Sequence, residues 1–265
     1  MVQSGLVPVD ARALLGHVLG VNRAWLLAHD RDAISHEAAT QFFALAKRRR
    51  DGEPIAYLVG RREFWGLDLG VTRAVLIPRP ETETLVEAAL ARIPQDQDTR
   101  VLDLGTGSGA IALAIAKERS RARVFATDIS PEALDVARSN ASRLRIDNVT
   151  FIESDWYVDV PIDPLDIIAS NPPYIAPDDP RLEQGDLRFE PRVAQTPGPD
   201  GLSAIKVVIF GALSRLKPGG WLLIEHGYDQ SAIVTKLFAG GGFEAIVRLR
   251  DLAGIHRVVA GRRPT

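Results

Sequence analysis

The stretch Val101-Leu102-Asp103-Leu104-Gly105-Thr106-Gly107-Ser108-Gly109-Ala110 decides the fold. Val101 to Leu104 reads as a short apolar strand, and Ala110 to Arg119 as a helix opened by the glycine loop. In that setting the glycines let the backbone approach a ligand, while the helix N-terminus presents free N–H groups to it. A nucleotide-like ligand is implied. The spacing Gly105, Gly107, Ala110 also satisfies the looser dinucleotide fingerprint, so the loop alone does not separate NAD from S-adenosylmethionine. Asp128 ends the next strand about twenty residues on, where a carboxylate can accept both ribose hydroxyls. The discriminating residue is Asp103: an acid just before the first glycine suits a ligand carrying an ammonium and a sulfonium, and disfavours a pyrophosphate.

Strand and helix signals alternate outward from this loop. Val124 to Thr127, Val149 to Ile152, Leu165 to Ala169, Trp221 to Glu225, Ala245 to Leu249 and Ile255 to Ala260 read as strands. Ser130 followed by Pro131 is an N-cap with a first-turn proline and starts a helix to about Ser142. Leu202 to Leu216 and Ser231 to Phe238 are helical. The pattern predicts a doubly wound α/β sheet, whose ligand lies at the carboxyl ends of the strands.

Ser170-Asn171-Pro172-Pro173-Tyr174 follows the fourth strand at that end of the sheet. Two prolines fix consecutive φ angles and hold Asn171 away from helix, so the corner is rigid. The Asn171 side-chain oxygen and the Pro172 carbonyl can then accept both hydrogens of one planar NH2 group while the Tyr174 ring stacks on its plane. Such a corner works by orientation and fixed dipoles, with no histidine base. The segment 171–200 has little apolar periodicity, and a loop of that length within a compact domain is usually functional. Within it, Glu190-Pro191 and Arg192 read either as substrate-channel lining or as ordinary loop. Trp156, after the third strand, reads as a flank for an adenine ring or as a packed side chain. Trp221, Phe64 and Trp65 read as core or domain interface.

Before the glycine loop the chain changes character. Residues 10 to about 58 carry apolar residues at helical spacing and predict a small helical bundle. The basic run Lys47 to Arg50 ends its second half and reads as a solvated helix end, with contact to an RNA-bearing partner as the alternative. Phe64, Leu67, Leu69, Val71, Val75 and Ile77, interrupted by Gly66 and Gly70, predict a β-hairpin over 63–77, ended by Pro78 and Pro80. The division expected is a helical domain over 1–60, a hairpin and linker over 61–80, and a ligand-binding domain over 81–265.

Composition bounds the function. The 265 residues are 46% hydrophobic and 25% charged, a globular composition, and 32 basic against 34 acidic residues leave no whole-chain basic field for nucleic acid. Zero cysteines exclude a disulfide framework, a thiol nucleophile and Cys-ligated zinc, and five scattered histidines predict no metal site. Met1 to Asp10 has neither a charged n-region nor an apolar h-region, and no stretch is long enough to span a membrane, so a soluble, cytoplasmic protein is expected.

Several separated blocks resemble those of the release-factor glutamine N5-methyltransferases (PrmC/HemK). They are Gly52-Glu53-Pro54-Ile55-Ala56-Tyr57, Phe64-Trp65-Gly66-Leu67, Ile77-Pro78-Arg79-Pro80-Glu81-Thr82-Glu83, Asp103 to Ala110, Ser170 to Ile175, Phe189-Glu190-Pro191 and Asp251-Leu252-Ala253-Gly254. The glycine loop and Asn-Pro-Pro-Tyr are shared with amino-methyltransferases acting on DNA, RNA and protein; the Ile-Pro-Arg-Pro-Glu-Thr-Glu block is the specific part. The resemblance implies a seven-stranded class I methyltransferase core with its last strand antiparallel. It implies S-adenosylmethionine as cofactor, held by Asp103, Gly105, Thr106, Gly107, Ser108, Gly109 and Asp128, with Trp156 near the adenine and Asn171 also beside the cofactor. Asn171, Pro172, Pro173 and Tyr174 would hold the glutamine amide of the Gly-Gly-Gln loop of bacterial class 1 release factors. Two departures stand out: few residues precede the Asp10 helix, and Val193-Ala194 replaces the Ala-Leu expected after Glu-Pro. The alternatives are an exocyclic-amine, N6-adenine type, nucleic-acid methyltransferase and, sharing only the glycine loop, a nicotinamide oxidoreductase.

Overall fold

The structure is a computed structural model that describes residues 4–161 and 164–265; the first three residues of the stretch Met1 to Asp10, read above for a signal sequence, lie outside it. Contacts divide the chain into two compact units, one running to Arg61 and including Glu183–Phe189, the other comprising Arg62–Leu182 and Glu190–Thr265. Among the described residues no helix is long and apolar enough to cross a membrane.

The smaller unit holds helices α1 (Pro8–Leu19), α2 (Arg23–Ala28), α3 (His36–Arg50) and α4 (Ile55–Val59). Ala11, Leu14, Phe42 and Leu58 form its core. The arginines of the basic run are spent inside this unit: Arg48 donates twice to Glu53 (2.8 and 2.7 Å), Arg49 donates to Asp10 (2.7 Å), and Arg50 reaches the Ser4 carbonyl. Lys47 is largely solvated, 3.5 Å from Asp51, and Arg48 and Arg50 are exposed as well. Gly52, at φ 98°, follows the run. A Cβ there would lie 1.5 Å from the Arg188 guanidinium, which donates to the Asp51 carbonyl (2.9 Å).

The larger unit opens with the hairpin β1 (Arg61–Phe64) and β2 (Leu67–Gly70). Trp65 and Gly66 form its two-residue turn, both at positive φ (53° and 64°), as the right-handed strand twist favours. Glu83 accepts the Trp65 N–H (3.0 Å) and holds the tryptophan in that uncommon conformation. The hairpin is shorter than expected. Val71, Val75 and Ile77 are buried as their spacing suggested, but they lie in an irregular segment. Its backbone is satisfied by a turn, Val75 N–H to Thr72 O (3.1 Å), and by a side chain, Ile77 N–H to Glu190 (3.1 Å), in place of a partner strand.

Next come α5 (Glu83–Leu90), β3 (Arg100–Leu104), α6 (Ala110–Glu118), β4 (Arg123–Asp128), α7 (Pro131–Leu144), β5 (Val149–Glu153), β6 (Leu165–Ser170), α8 (Ser203–Arg215), β7 (Leu216–Glu225), α9 (Ser231–Gly240), β8 (Glu244–Arg250) and β9 (His256–Arg262). The sheet order is β5-β4-β3-β6-β7-β9-β8, parallel throughout except for β9, antiparallel to both its neighbours. Strand alternation divides the core between the two faces. Val101, Ile167, Ala169 and Leu223 pack with α5 and α6; Leu102, Leu104, Ile168 and Leu222 pack with α8 and α9. The Ser130 hydroxyl caps α7 by accepting the Ala133 N–H (3.1 Å), with Pro131 in the first turn. The 171–200 segment contains only three short 3-10 turns.

Candidate functional site

Chain order reverses between β3 and β6, the neighbours at the middle of the sheet, and the crevice beyond their carboxyl ends is where such sheets bind ligands. A cavity of about 340 Å³ lies there. Gly105 to Ser108 supply one wall, Thr127 to Ser130 and Ser154 to Trp156 a second, Val75 to Thr82 a third, and Asn171, Pro173 and the 193–197 segment complete it.

The glycine loop is pinned to the end of β4. Thr127 O accepts the N–H groups of both Gly105 (2.9 Å) and Thr106 (2.8 Å), and Asp128 accepts that of Gly107 (2.9 Å). Gly105 and Gly107 take φ 73° and 55°, open to glycine without steric cost. Asn140, buried on α7, ties the loop to the hairpin: its Nδ2 donates to Ser108 O and Gly70 O (both 2.9 Å), and its Oδ1 accepts the Gly70 N–H (2.6 Å). Nothing in the local sequence marked Asn140, an asparagine within an ordinary amphipathic helix.

Two glycine-loop residues have other places than the wall. Asp103, read as a carboxylate facing the ligand, is wholly buried beneath the loop and accepts from the Thr106 hydroxyl (2.6 Å) and the Ala112 N–H (3.1 Å). Strand periodicity is the reason, since it puts Asp103 on the same face as Val101, under α6. Burial pushes its carboxyl up to about 7, and Oδ1 has no hydrogen-bond partner among the described residues. Gly109 caps α6 at φ 84°, where a Cβ would press on Leu113 (3.0 Å) and Ala137 (3.3 Å). It serves helix packing.

Asp128 stands on the wall, its oxygens accepting from Gly107 and from the Ser130 N–H (3.0 Å). Burial raises its pKa, opposed by these backbone donors. A carboxylate offers about four lone-pair positions, so acceptor capacity remains for hydroxyls. Trp156 also faces the cavity, at φ 53°, its carbonyl held by the Ser154 hydroxyl (3.1 Å). With Ile129 and Val207 it makes an apolar wall. Acceptor carboxylate, apolar flank and glycine backbone together fit a nucleoside with a free ribose.

At the corner after β6, Asn171 and Pro173 reach the cavity, whereas Pro172 is buried and Tyr174 is not part of the wall. Asn171 Nδ2 donates to the Thr82 hydroxyl (3.3 Å). The Tyr174 hydroxyl donates to Glu225 (3.3 Å), and Gln230 donates to its carbonyl (3.0 Å). Burial, reinforced by Glu225, pushes the Tyr174 phenol up, so it stays protonated.

Glu190 is a brace and lines no channel: its buried carboxylate accepts from Ile77 N–H (3.1 Å), Arg79 (2.7 Å) and Gln195 (3.4 Å). It thereby joins two irregular segments that contribute to the wall, Val75 to Thr82 and 193–197. Arg192 is not on the wall either. The Val75 to Thr82 wall was missed by residue chemistry. Its only local signal was Pro78 and Pro80 flanking Arg79, which hold that stretch extended. Phe64 is core, and Trp221 carries the Arg92 guanidinium 4.2 Å over its ring.

The strand order, the single antiparallel strand and a glycine loop docked on an acidic strand end define a class I S-adenosylmethionine-dependent methyltransferase. Comparison with known proteins agrees: a family described as "PrmC N-terminal domain" matches residues 3–60 and one described as "Methyltransferase domain" matches 95–242. A release factor glutamine methyltransferase of Xylella fastidiosa is 52% identical over 256 residues, covering 97% of this chain and 93% of the relative. That of Escherichia coli is 46% identical over 253 residues, with 96% and 91% covered. A solved methyltransferase structure from Pyrococcus furiosus superimposes with a TM-score of 0.56 at 16% identity, covering 83% of this chain and 98% of that one, which bears on fold alone. This chain belongs to the release factor glutamine methyltransferase family.

Asp128→Ala is expected to weaken cofactor binding about ten- to a hundredfold, the loss of one charge-assisted hydrogen bond of roughly 1.5 to 3 kcal/mol. Calorimetric titration with S-adenosylhomocysteine checks it; unchanged affinity would remove Asp128 from the cofactor site.

Proposed function

We propose that this protein transfers a methyl group from S-adenosylmethionine to the side-chain amide nitrogen (N5) of the glutamine in the Gly-Gly-Gln loop of class 1 peptide-chain release factors. The observation that carries the reading is Asn171, which shares one cavity with Gly105 to Ser108 and Asp128. Family membership and the names of close relatives support the substrate. The reading carries with it a cytoplasmic site of action.

When bound, S-adenosylmethionine supplies a methyl group on a positively charged sulfur. Asp128 accepts from the ribose hydroxyls, Trp156 flanks the adenine, and the backbone of Gly105 to Ser108 approaches the rest. Asp103 acts through the loop, keeping Thr106 and the first turn of α6 in place. Asn171 Oδ1 and the Pro172 carbonyl accept the two N–H groups of the substrate amide, with Pro173 stiffening the corner and Tyr174, bonded to Glu225, backing it from behind the wall. Accepting both hydrogens holds the nitrogen lone pair toward the methyl group and opposes its delocalisation into the amide carbonyl. The bound cofactor would supply the methyl group to the amide nitrogen held between Asn171 Oδ1 and the Pro172 carbonyl, and one amide proton would pass from these acceptors to solvent.

The test is transfer of labelled methyl to purified release factors with the Gly-Gly-Gln glutamine intact or replaced by alanine. Label is expected on the intact factor only. Equal labelling of both, or transfer to adenine in DNA or RNA instead, would overturn the reading.

A further inference from the structure

The corner that faces the substrate is backed by a chain of hydrogen-bonding groups from three separate parts of the sequence. Asn171 Nδ2 donates to the hydroxyl of Thr82, itself buried in the turn before α5. That hydroxyl faces the carboxylate of Glu225 at the end of β7 and stabilises its charged form. Glu225 is buried, and its Oε1 accepts the Tyr174 hydroxyl (3.3 Å). Its other oxygen, Oε2, is buried with no hydrogen-bond partner among the described residues.

A threonine hydroxyl has one hydrogen. While that hydrogen points at Glu225, Thr82 offers Asn171 only lone pairs, and an asparagine amide meets lone pairs with its NH2 end. The carbonyl end is then turned to the substrate. Reversed, Asn171 would present N–H donors to the N–H donors of an amide, and the corner would repel what it is built to hold. We infer that Thr82 and Glu225 are positioning residues that decide which end of the Asn171 amide faces the substrate. The inference rests on the amide-holding role proposed above for Asn171.

The groups facing Glu225 are Thr82, Tyr174, Arg257 from β9 and Glu81; the first three favour its charge and Glu81 opposes it. Burial lowers the pKa of His226, next in the chain. Burial dominates and pushes the Glu225 carboxyl up to about 7. Above that pH Glu225 is an acceptor only and the chain of bonds has one sense. Below it the protonated carboxyl can donate to Thr82, whose hydrogen is then free to turn toward Asn171, so methyl transfer falls as pH drops through 7. Asp103 titrates in the same range but lies under the cofactor loop. Its protonation therefore acts on cofactor affinity, and saturating cofactor removes it from the rate.

The experiment measures methyl transfer to a release factor at saturating cofactor from pH 6 to 9 for wild type, Thr82→Val, Thr82→Ser and Glu225→Gln, with S-adenosylhomocysteine affinity and melting temperature alongside. Wild type is expected to lose about three- to fivefold between pH 7 and 6. Thr82→Val should lower kcat about tenfold with cofactor affinity unchanged, Thr82→Ser should restore it, and Glu225→Gln should flatten the pH profile. Wild-type kcat in Thr82→Val, or an unchanged profile in Glu225→Gln, would overturn the inference. If Thr82→Val does not fold, the Glu225→Gln profile decides. Asn171→Ala separates the two ideas: if it is slow while Thr82→Val is fast, only the orienting role falls; if it methylates at the wild-type rate, the amide-holding role falls as well.

Discussion

Asn171→Ala is expected to bind cofactor as wild type does and to transfer methyl about a hundredfold more slowly, a barrier rise of roughly 2.7 kcal/mol. The substitution removes the side-chain acceptor from the substrate corner, while the bonds that pin the glycine loop to Thr127, Asp128, Asn140 and Asp103 are left in place. The magnitude is that of deleting one preorganised polar group from a site where water is displaced by the reacting partners. Asn171→Asp is the informative companion. It keeps an acceptor but places a charge beside the methyl donor, which stabilises the sulfonium ground state as well, so intermediate activity is expected. Single-turnover transfer at saturating cofactor, with melting temperatures matched, checks both. A wild-type rate in Asn171→Ala would make the corner a structural turn.

The second large effect is on stability. Glu190→Ala is expected to destabilise the protein by about 3 kcal/mol, at the lower end of the range for breaking a buried ion pair because Arg79 keeps some access to water. The loss includes an orphaned Ile77 N–H, whose acceptor is the same carboxylate. For a chain of this size the melting temperature should fall by about 6 to 12 °C. Glu190→Gln retains an acceptor for Ile77 and should lose about half as much. Cofactor affinity should fall together with stability in Glu190→Ala, because the carboxylate joins two parts of the cavity wall. A melting temperature within a degree of wild type would show that Glu190 holds nothing together.

Much of the architecture was written in local patterns. The Ser130-Pro131 start of α7, the strand and helix at either side of the glycine loop, and the alternation that builds the parallel sheet each depend on neighbours in sequence, and each lies where its residues indicate. Val71 to Ile77 shows where such reading stops. Burial at Val75 and Ile77, two residues apart, is what a strand requires, yet the same spacing suits an extended segment whose N–H is taken by a carboxylate 113 residues away. No local signal distinguishes the two. Asp103 is a parallel case in the site: residue type and motif position suggested contact with a ligand, whereas the pleat of β3 and the packing of α6 put the carboxyl under the loop. Thr82 lay within the Ile77 to Glu83 block and Glu225 at the end of an expected strand, but their relation to Asn171 exists only once β6 and β7 are paired.

The segment Glu183–Phe189 belongs by its contacts to the small N-terminal unit, where Arg188 bonds the Asp51 carbonyl beside Gly52. Synthesis of the chain delivers this segment roughly 120 residues after Arg61, a delay of about 6 to 24 s at ~5 to 20 residues per second. During that interval the four-helix unit exists without its last piece, and the socket at Asp51 and Gly52 stays open while β3 to β6 are being made. The small unit thus cannot finish folding as a nascent N-terminal domain. Its completion waits on the first half of the catalytic sheet, and the two units mature on one schedule although most of their residues are separate in sequence.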